Sequence, residues 1–389
     1  GVHEAVERDA ALASMTQAGA RWLDRPASAR WRRIVVALIG REGGSPREQA
    51  RLAGRLALAE GWVSLAEGEY VHAREQLAEA EQAFAAELDA SDPLALEQWL
   101  ARAQLELAFG DQKAALAVGT KLGELAQAEH GGSLLQVAAL LAQAQAQLDA
   151  GELALAQETA AQAIRIPVPG RSRQHDHWRG MALGLSGRIA AARGDDDEAR
   201  AQFERAETFL FDGPERALPG LWRGELALRR GQIPEGLAAI EGGLALLDAL
   251  EPDDARALPM LELAGRALLE AGELGRARSL LEAAFELVDR KLGSCPRRAF
   301  LQRDLGVLEQ RAGNLAVALE RFDGAHVMLA GGLGLYHPEV VRASLARADL
   351  AWALDQRDYA ERLYGVIADE LEALGEVEAA ARARSRSAG

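Results

Sequence analysis

Residues 265–281 read GRALLEAGELGRARSLL. Three small residues stand in this stretch at fixed distances: Gly265, Gly272 and Ala277. Gly272 separates two Ala- and Leu-rich segments, both of composition that favours helix. It reads as the residue just past the end of the first helix, where a left-handed backbone is inexpensive only for glycine. Gly265, seven residues earlier, and Ala277, five later, then fall where two antiparallel helices cross. Small side chains there let the helix axes approach to about 8 Å. Leu281, nine residues after the turn glycine, is placed to fill the space beside the crossing.

The same frame recurs: GEYVHA (68–73), GDQKAA (110–115), GELALA (151–156), GDDDEA (194–199), GQIPEG (231–236), GELGRA (272–277) and GNLAVA (313–318). The turn glycines are 42, 41, 43, 37, 41 and 41 residues apart. Seven residues before them stand Gly61, Ala103, Ala144, Gly187, Gly224, Gly265 and Gly306. Five residues after them stand Ala73, Ala115, Ala156, Ala199, Gly236, Ala277 and Ala318. The larger apolar residue nine positions on is Leu77, Phe203, Ile240, Leu281 or Phe322. A near-constant period in this range marks an array of helical hairpins.

This small–glycine–small spacing resembles the tetratricopeptide repeat, over about residues 47–380. The resemblance implies an all-α fold, a right-handed α–α superhelix of about seven to eight helix–turn–helix repeats with the first helices on the concave face. The common repeat has about 34 residues. Here roughly seven more, about two helical turns shared by the pair, lengthen it. The longer form resembles kinesin-light-chain-type repeats, which in bacteria often follow a serine/threonine kinase domain. YHPEVVRASLARADLAWALDQRDYAERLY (336–364) reads as an eighth repeat whose turn glycine is replaced near Arg357, and LGEVEAAARAR (374–384) as a closing helix. Residues 1–46 fit the frame poorly and are expected to be N-terminal cap or linker helices, with the solenoid over 47–389. The interruption IPVPGRSRQHDH (166–177) is a candidate bend.

Composition narrows the function. The net charge of −15, from 44 basic and 59 acidic residues, repels phosphate backbones and disfavours nucleic acid as a partner. A single cysteine, Cys295, excludes an intrachain disulfide. No apolar stretch reaches the roughly 18 residues of a membrane span, and no signal peptide is visible, so a cytoplasmic protein without a membrane partner is expected. The chain begins at Gly1 and not at Met, which would suit a fragment of a larger enzyme.

Catalytic signatures are sparse. The chain holds no GxxxxGK[ST], HExxH, CxxC or GxSxG pattern and no kinase motif. No cofactor, metal or catalytic residue is therefore expected. His175 and His177, in QHDHW, lack a third ligand and read as solvated loop residues. GDDDE (194–198) looks like a cation loop but occupies a repeat turn. Cys295 has two arginines nearby that could lower its pKa, yet no base beside it, so an inert thiol is expected.

The candidate binding stripe lies ten, six and three residues before each turn glycine, one face of the first helix. Early repeats place Leu58, Trp62 and Leu65, then Gln104 and Gln145, there, and later repeats place Arg188, Glu225, Arg266 and Arg303. One reading is a groove that grips a partner, apolar toward its N-terminal end and charged toward the other. The other makes the leucines inter-helix core and leaves only the middle position facing the groove. The expected function is that of a protein–protein interaction scaffold or sensor in bacterial signalling, kinase-associated. A peptide or small-ligand receptor, and the regulatory part of a larger enzyme, are the alternatives. The partner is another protein or a peptide segment.

Overall fold

The computed structural model describes residues 46–84, 93–128, 133–167, 173–210, 213–251, 253–335 and 337–387. These residues form seventeen α-helices and no strand: α1 (Pro46–Ala66), α2 (Tyr70–Phe84), α3 (Pro93–Phe109), α4 (Gln112–Ala128), α5 (Leu134–Asp149), α6 (Leu153–Arg165), α7 (Arg173–Ala192), α8 (Asp196–Glu207), α9 (Leu218–Arg229), α10 (Ile233–Ala245), α11 (Leu258–Glu270), α12 (Leu274–Lys291), α13 (Pro296–Arg311), α14 (Leu315–Leu333), α15 (Pro338–Ala353), α16 (Arg357–Ala373) and α17 (Val377–Ser387). Two short 3₁₀ segments, Pro214–Ala217 and Ala255–Ala257, precede α9 and α11. The fold is an all-α helical repeat, with odd-numbered helices first and even-numbered helices second in each of eight pairs, and α17 last.

Each turn has one geometry. The seven expected glycines all have positive φ, from 71° at Gly110 to 83° at Gly272 and Gly313. The amide after the glycine reaches back to the carbonyl five residues earlier: Glu273 N–H to Leu268 O at 2.9 Å, Asp195 N–H to Ala190 O at 2.9 Å, Asn314 N–H to Glu309 O at 2.9 Å. That bond satisfies a carbonyl the ending helix would leave open. The residue donating it accepts the first amide of the next helix, as Glu273 O does from Ala277 at 2.9 Å. One residue therefore closes one helix and opens the next, which holds the two in a tight antiparallel pair.

The crossings sit where the spacing puts them. A Cβ added at Gly61 would lie 2.7 Å from Leu77 Cδ2, one at Gly187 2.5 Å from Phe203 Cε1, one at Gly265 2.8 Å from Leu281 Cδ2 and one at Gly306 3.0 Å from Phe322 Cδ2. Ala103 and Ala144 keep the frame with a methyl group and are 1 % and 0 % exposed.

The eighth repeat corrects the sequence reading. Its turn residue is Asp355, with φ of 59°, two positions before Arg357. Gln356 N–H still bonds Ala351 O at 2.9 Å. Counted from Asp355, the small residues are Ala348 and Ala360 and the filler is Tyr364, all buried. Aspartate is among the residues that tolerate the left-handed region best after glycine. A further turn at Gly375 leads into α17, whose Ala380 and Ala383 cover the apolar edge left by Ile367, Ala368 and Leu371.

The chain forms two compact units: unit 1 is Gly1–Ala108, Gln112–Leu226 and Ala238–Ala257, and unit 2 is Phe109–Asp111, Ala227–Leu237 and Leu258–Gly389. In unit 2 the core is a succession of small clusters. Phe322, Leu319 and Leu350 form one, Leu329, Leu333 and Val340 another, and Tyr364, Ile367 and Leu371 the last. Each bridges consecutive helices only, as expected where a repeat buries its apolar face against its neighbours. The expected cap or linker over 1–46 falls, apart from Pro46, outside the described residues, as does 168–172 at the centre of the expected bend. The remainder of that interruption is less irregular than its sequence, because α7 already begins at Arg173.

Substituting Gly265→Leu is expected to cost roughly 2–4 kcal/mol by overpacking against Leu281. Asp355→Gly is expected to be neutral or to stabilise by about 0.5–1 kcal/mol, because the left-handed penalty of a Cβ is removed. Urea denaturation midpoints measure both.

Candidate binding face of the first helices

The first helices carry the stripe, and the structure sorts it into two classes. Leu58, Trp62 and Leu65 are 1 %, 5 % and 5 % exposed. They are core residues of the first pair and not groove anchors. Their apolar surface is consumed by packing, so the expected apolar end of the groove is absent at these positions. Leu100, Leu141 and Leu221 are buried in the same way. Gly184 holds its stripe position because the Trp222 ring occupies the space a Cβ would take. That ring stacks on Phe203, with centroids 5.5 Å apart.

In the first repeat Trp62 holds the middle position, six residues before the turn, and is buried; from the second repeat on that position behaves differently. Gln104, Gln145, Arg188 and Glu225 in unit 1 are half-buried, and Arg266 in unit 2 is exposed. Two of them are joined. Arg188 Nη1 donates to Gln145 Oε1 at 2.6 Å, and Gln145 Nε2 donates to Asp149 Oδ1 at 2.7 Å. α5 and α7 are thereby linked through side chains that remain about one-third exposed.

In unit 2 several charges are committed between repeats. Arg297 donates to Glu262 from Nε at 2.8 Å and Nη2 at 3.1 Å, joining α13 to α11. Arg303 donates to Asp304 at 2.7 Å and to Glu339, joining α13 to α15. Arg278 donates both guanidinium nitrogens to Glu309, joining α12 to α13. Arg303 was expected to face a partner; it serves the stacking of repeats and lies 5.5 Å from the Phe300 ring centroid. These pairs escaped the sequence reading. Two of them left a faint signal, because Arg297 and Glu262 stand 35 residues apart and Arg303 and Glu339 36, somewhat under the repeat period.

Three features read for chemistry resolve into structure. Asp195 caps α8 through Glu198 N–H, and the acids that follow occupy its first turn, where the helix dipole favours them. His175 and His177 lie on α7 and not in a loop, and burial lowers the His177 imidazole to about 4. Cys295 precedes α13 and is buried; burial pushes its thiol pKa up and outweighs the neighbouring Arg297. Among the described residues no group of three or more His, Cys, Asp or Glu could hold a metal ion. Among them, too, no helix is long and apolar enough to cross a membrane.

No family model matches the chain, and no curated protein does. Solved structures are similar to it. NprR in complex with its cognate peptide NprX matches with a TM-score of 0.61 and 14% identity, over 94% of this chain and 98% of that one. The apo form of the quorum sensor NprR from B. thuringiensis matches at 0.58 and 15% identity, over 95% and 100%. A Rap protein complexed with competence and sporulation factor matches at 0.53 and 13% identity, over 86% and 96%. At these identities the likeness is one of fold, and it agrees with a tetratricopeptide-type helical repeat.

Trp62→Ala is expected to destabilise the fold by about 3–5 kcal/mol, as a buried tryptophan does, whereas Arg266→Ala should cost under about 0.5 kcal/mol. Arg278, and secondarily Asn314, hold the Glu309 carboxyl down at about 2 by hydrogen bonding. Its stabilising contribution is therefore complete above the ordinary carboxylate range and is lost as pH falls through about 2. A Glu309→Gln variant should lack that part of the acid dependence, about 2 kcal/mol, in denaturation curves taken from pH 6 to pH 2.

Proposed function

We propose that the chain is a non-catalytic receptor that holds an extended peptide segment against the middle positions of its first helices. The observation that carries this reading lies in unit 1. Four successive repeats present Gln104, Gln145, Arg188 and Glu225 at one register, and all four keep solvent access. Amides and a guanidinium repeated at one register suit the regularly spaced carbonyls and N–H groups of an extended backbone. The Arg188–Gln145–Asp149 chain holds its members in place, which lowers the ordering cost of binding. The complex of NprR with its cognate peptide NprX supports a peptide as the partner class.

A protein–protein scaffold acting with a serine/threonine kinase is the second reading, and it rests on the long repeat period. A larger enzyme that uses the repeats for regulation would bind through the same face. Both differ from the peptide receptor in needing a folded partner.

Panning a library of random linear peptides against the full chain, followed by calorimetry with an enriched peptide, tests the reading. The double variant Gln104→Ala/Arg188→Ala should bind at least about tenfold more weakly, about 1.4 kcal/mol, while keeping the helical circular dichroism of the wild type. Wild-type affinity in the folded double variant would move the site off this face. Binding to folded proteins alone would favour the scaffold.

A further inference from the structure

The polar row of unit 1 is unevenly committed. Arg188 donates to Gln145 from Nη1 at 2.6 Å, and its Nη2 lies 3.8 Å from Asp149 Oδ1. Gln145 in turn donates to Asp149 at 2.7 Å. One guanidinium and one carboxylate offset each other there, and the guanidinium is drawn toward α5. Glu225 differs. It is half-buried in the middle of α9, and among the described residues it takes part in no hydrogen bond or ion pair.

The packing of the first helices fixes where Glu225 stands. The Trp222 ring fills the space beside Gly184, so α9 lies directly against α7. Arg188 follows Gly184 by four residues and Glu225 follows Trp222 by three, about one helical turn beyond that contact in each helix. The two opposite charges therefore occupy neighbouring first helices at one level, yet no ion pair joins them, because Arg188 is held from α5. Arg223, the other charged residue of α9 within unit 1, lies two positions from Glu225 and so on the far side of the helix. It donates from Nη2 to Glu207 at 3.3 Å. With Asp149 counted, the row carries one cation and two carboxylates, and the carboxylate left without a partner is Glu225.

We infer that the bound peptide segment carries a lysine or arginine side chain seated at Glu225; this rests on the receptor reading above and adds the chemistry of its ligand. A half-buried carboxylate without a partner has given up part of its hydration and gained no ion pair in exchange. A cation brought to it from a partner supplies that pair. A cation placed one repeat earlier would instead meet the Arg188 guanidinium, and like charges set together are disfavoured. The basic residue thus has one place on the row, over the fifth repeat, and it sets the register of the segment. The stretch over repeats two to four meets the Gln104 and Gln145 amides and a neutralised pair, which select polar, uncharged groups.

The probe is the peptide most enriched from the random linear library panned on the full chain, synthesised with both ends capped so that no terminal amine competes. Calorimetry compares it with its alanine replacement at the basic residue, each on the wild-type chain and on Glu225→Gln. Either change alone should weaken binding about tenfold, and both together no more than either alone. Glu225→Lys should recover most of the lost affinity for a peptide whose basic residue is replaced by glutamate. An enriched peptide that is weakened by Gln104→Ala/Arg188→Ala but holds no basic residue, or binds Glu225→Gln as tightly as the wild type, would overturn the inference and leave the receptor reading standing. Should Glu225→Gln fail to fold, the peptide side still decides, because unchanged affinity of the alanine-replaced peptide overturns the inference. A peptide indifferent to Gln104→Ala/Arg188→Ala, or a library that yields none, would remove the receptor reading and the inference with it.

Discussion

The structure depends on one constraint, the close approach of two helices across a left-handed turn. Within each repeat the backbone reverses at a residue of positive φ, and the amide after it bonds five residues back. The reversal fixes which residues meet. Position −7 meets position +9, and a branched or aromatic side chain from the second helix fills the notch that a glycine or alanine leaves in the first. Because the filler occupies the space of the missing side chain, neither residue can change size alone. In unit 2, repeating this arrangement produces a core that is local, built between neighbours.

Much of the fold was legible because the constraint acts through spacing. A turn that needs φ near +75° selects glycine, and a crossing that excludes side chains selects glycine or alanine, so both leave marks at fixed distances in the sequence. The eighth repeat was legible for the same reason but one element short. Ala348, Ala360 and Tyr364 keep the frame, and only the turn residue is exceptional, so without a glycine to index it Asp355 was assigned two positions late.

The candidate face was less legible. Periodicity places Leu58, Trp62 and Leu65 on one helical stripe but does not say how wide the buried sector is. The sector extends over the stripe's outer positions, and in the first repeat over the middle one, Trp62, as well. Charge was misread for a related reason. Arg303 resembles a surface group in one dimension, yet Glu339 and Asp304 are brought to it from the next repeat and from its own helix. The period-spaced charges are part of how the repeats stack, and the reachable polar groups of unit 1 form the narrower row from Gln104 to Glu225.

A double-mutant cycle between Gly265 and Leu281 tests the notch-and-filler account most directly. Gly265→Ala places a methyl where Leu281 Cδ2 lies 2.8 Å away, and Leu281→Ala vacates that space. Equilibrium denaturation of the wild type, the two single variants and the double variant gives the coupling. The account predicts that the double variant is more stable than the sum of the single effects by at least about 1 kcal/mol. Additive effects, within about 0.3 kcal/mol, would contradict it.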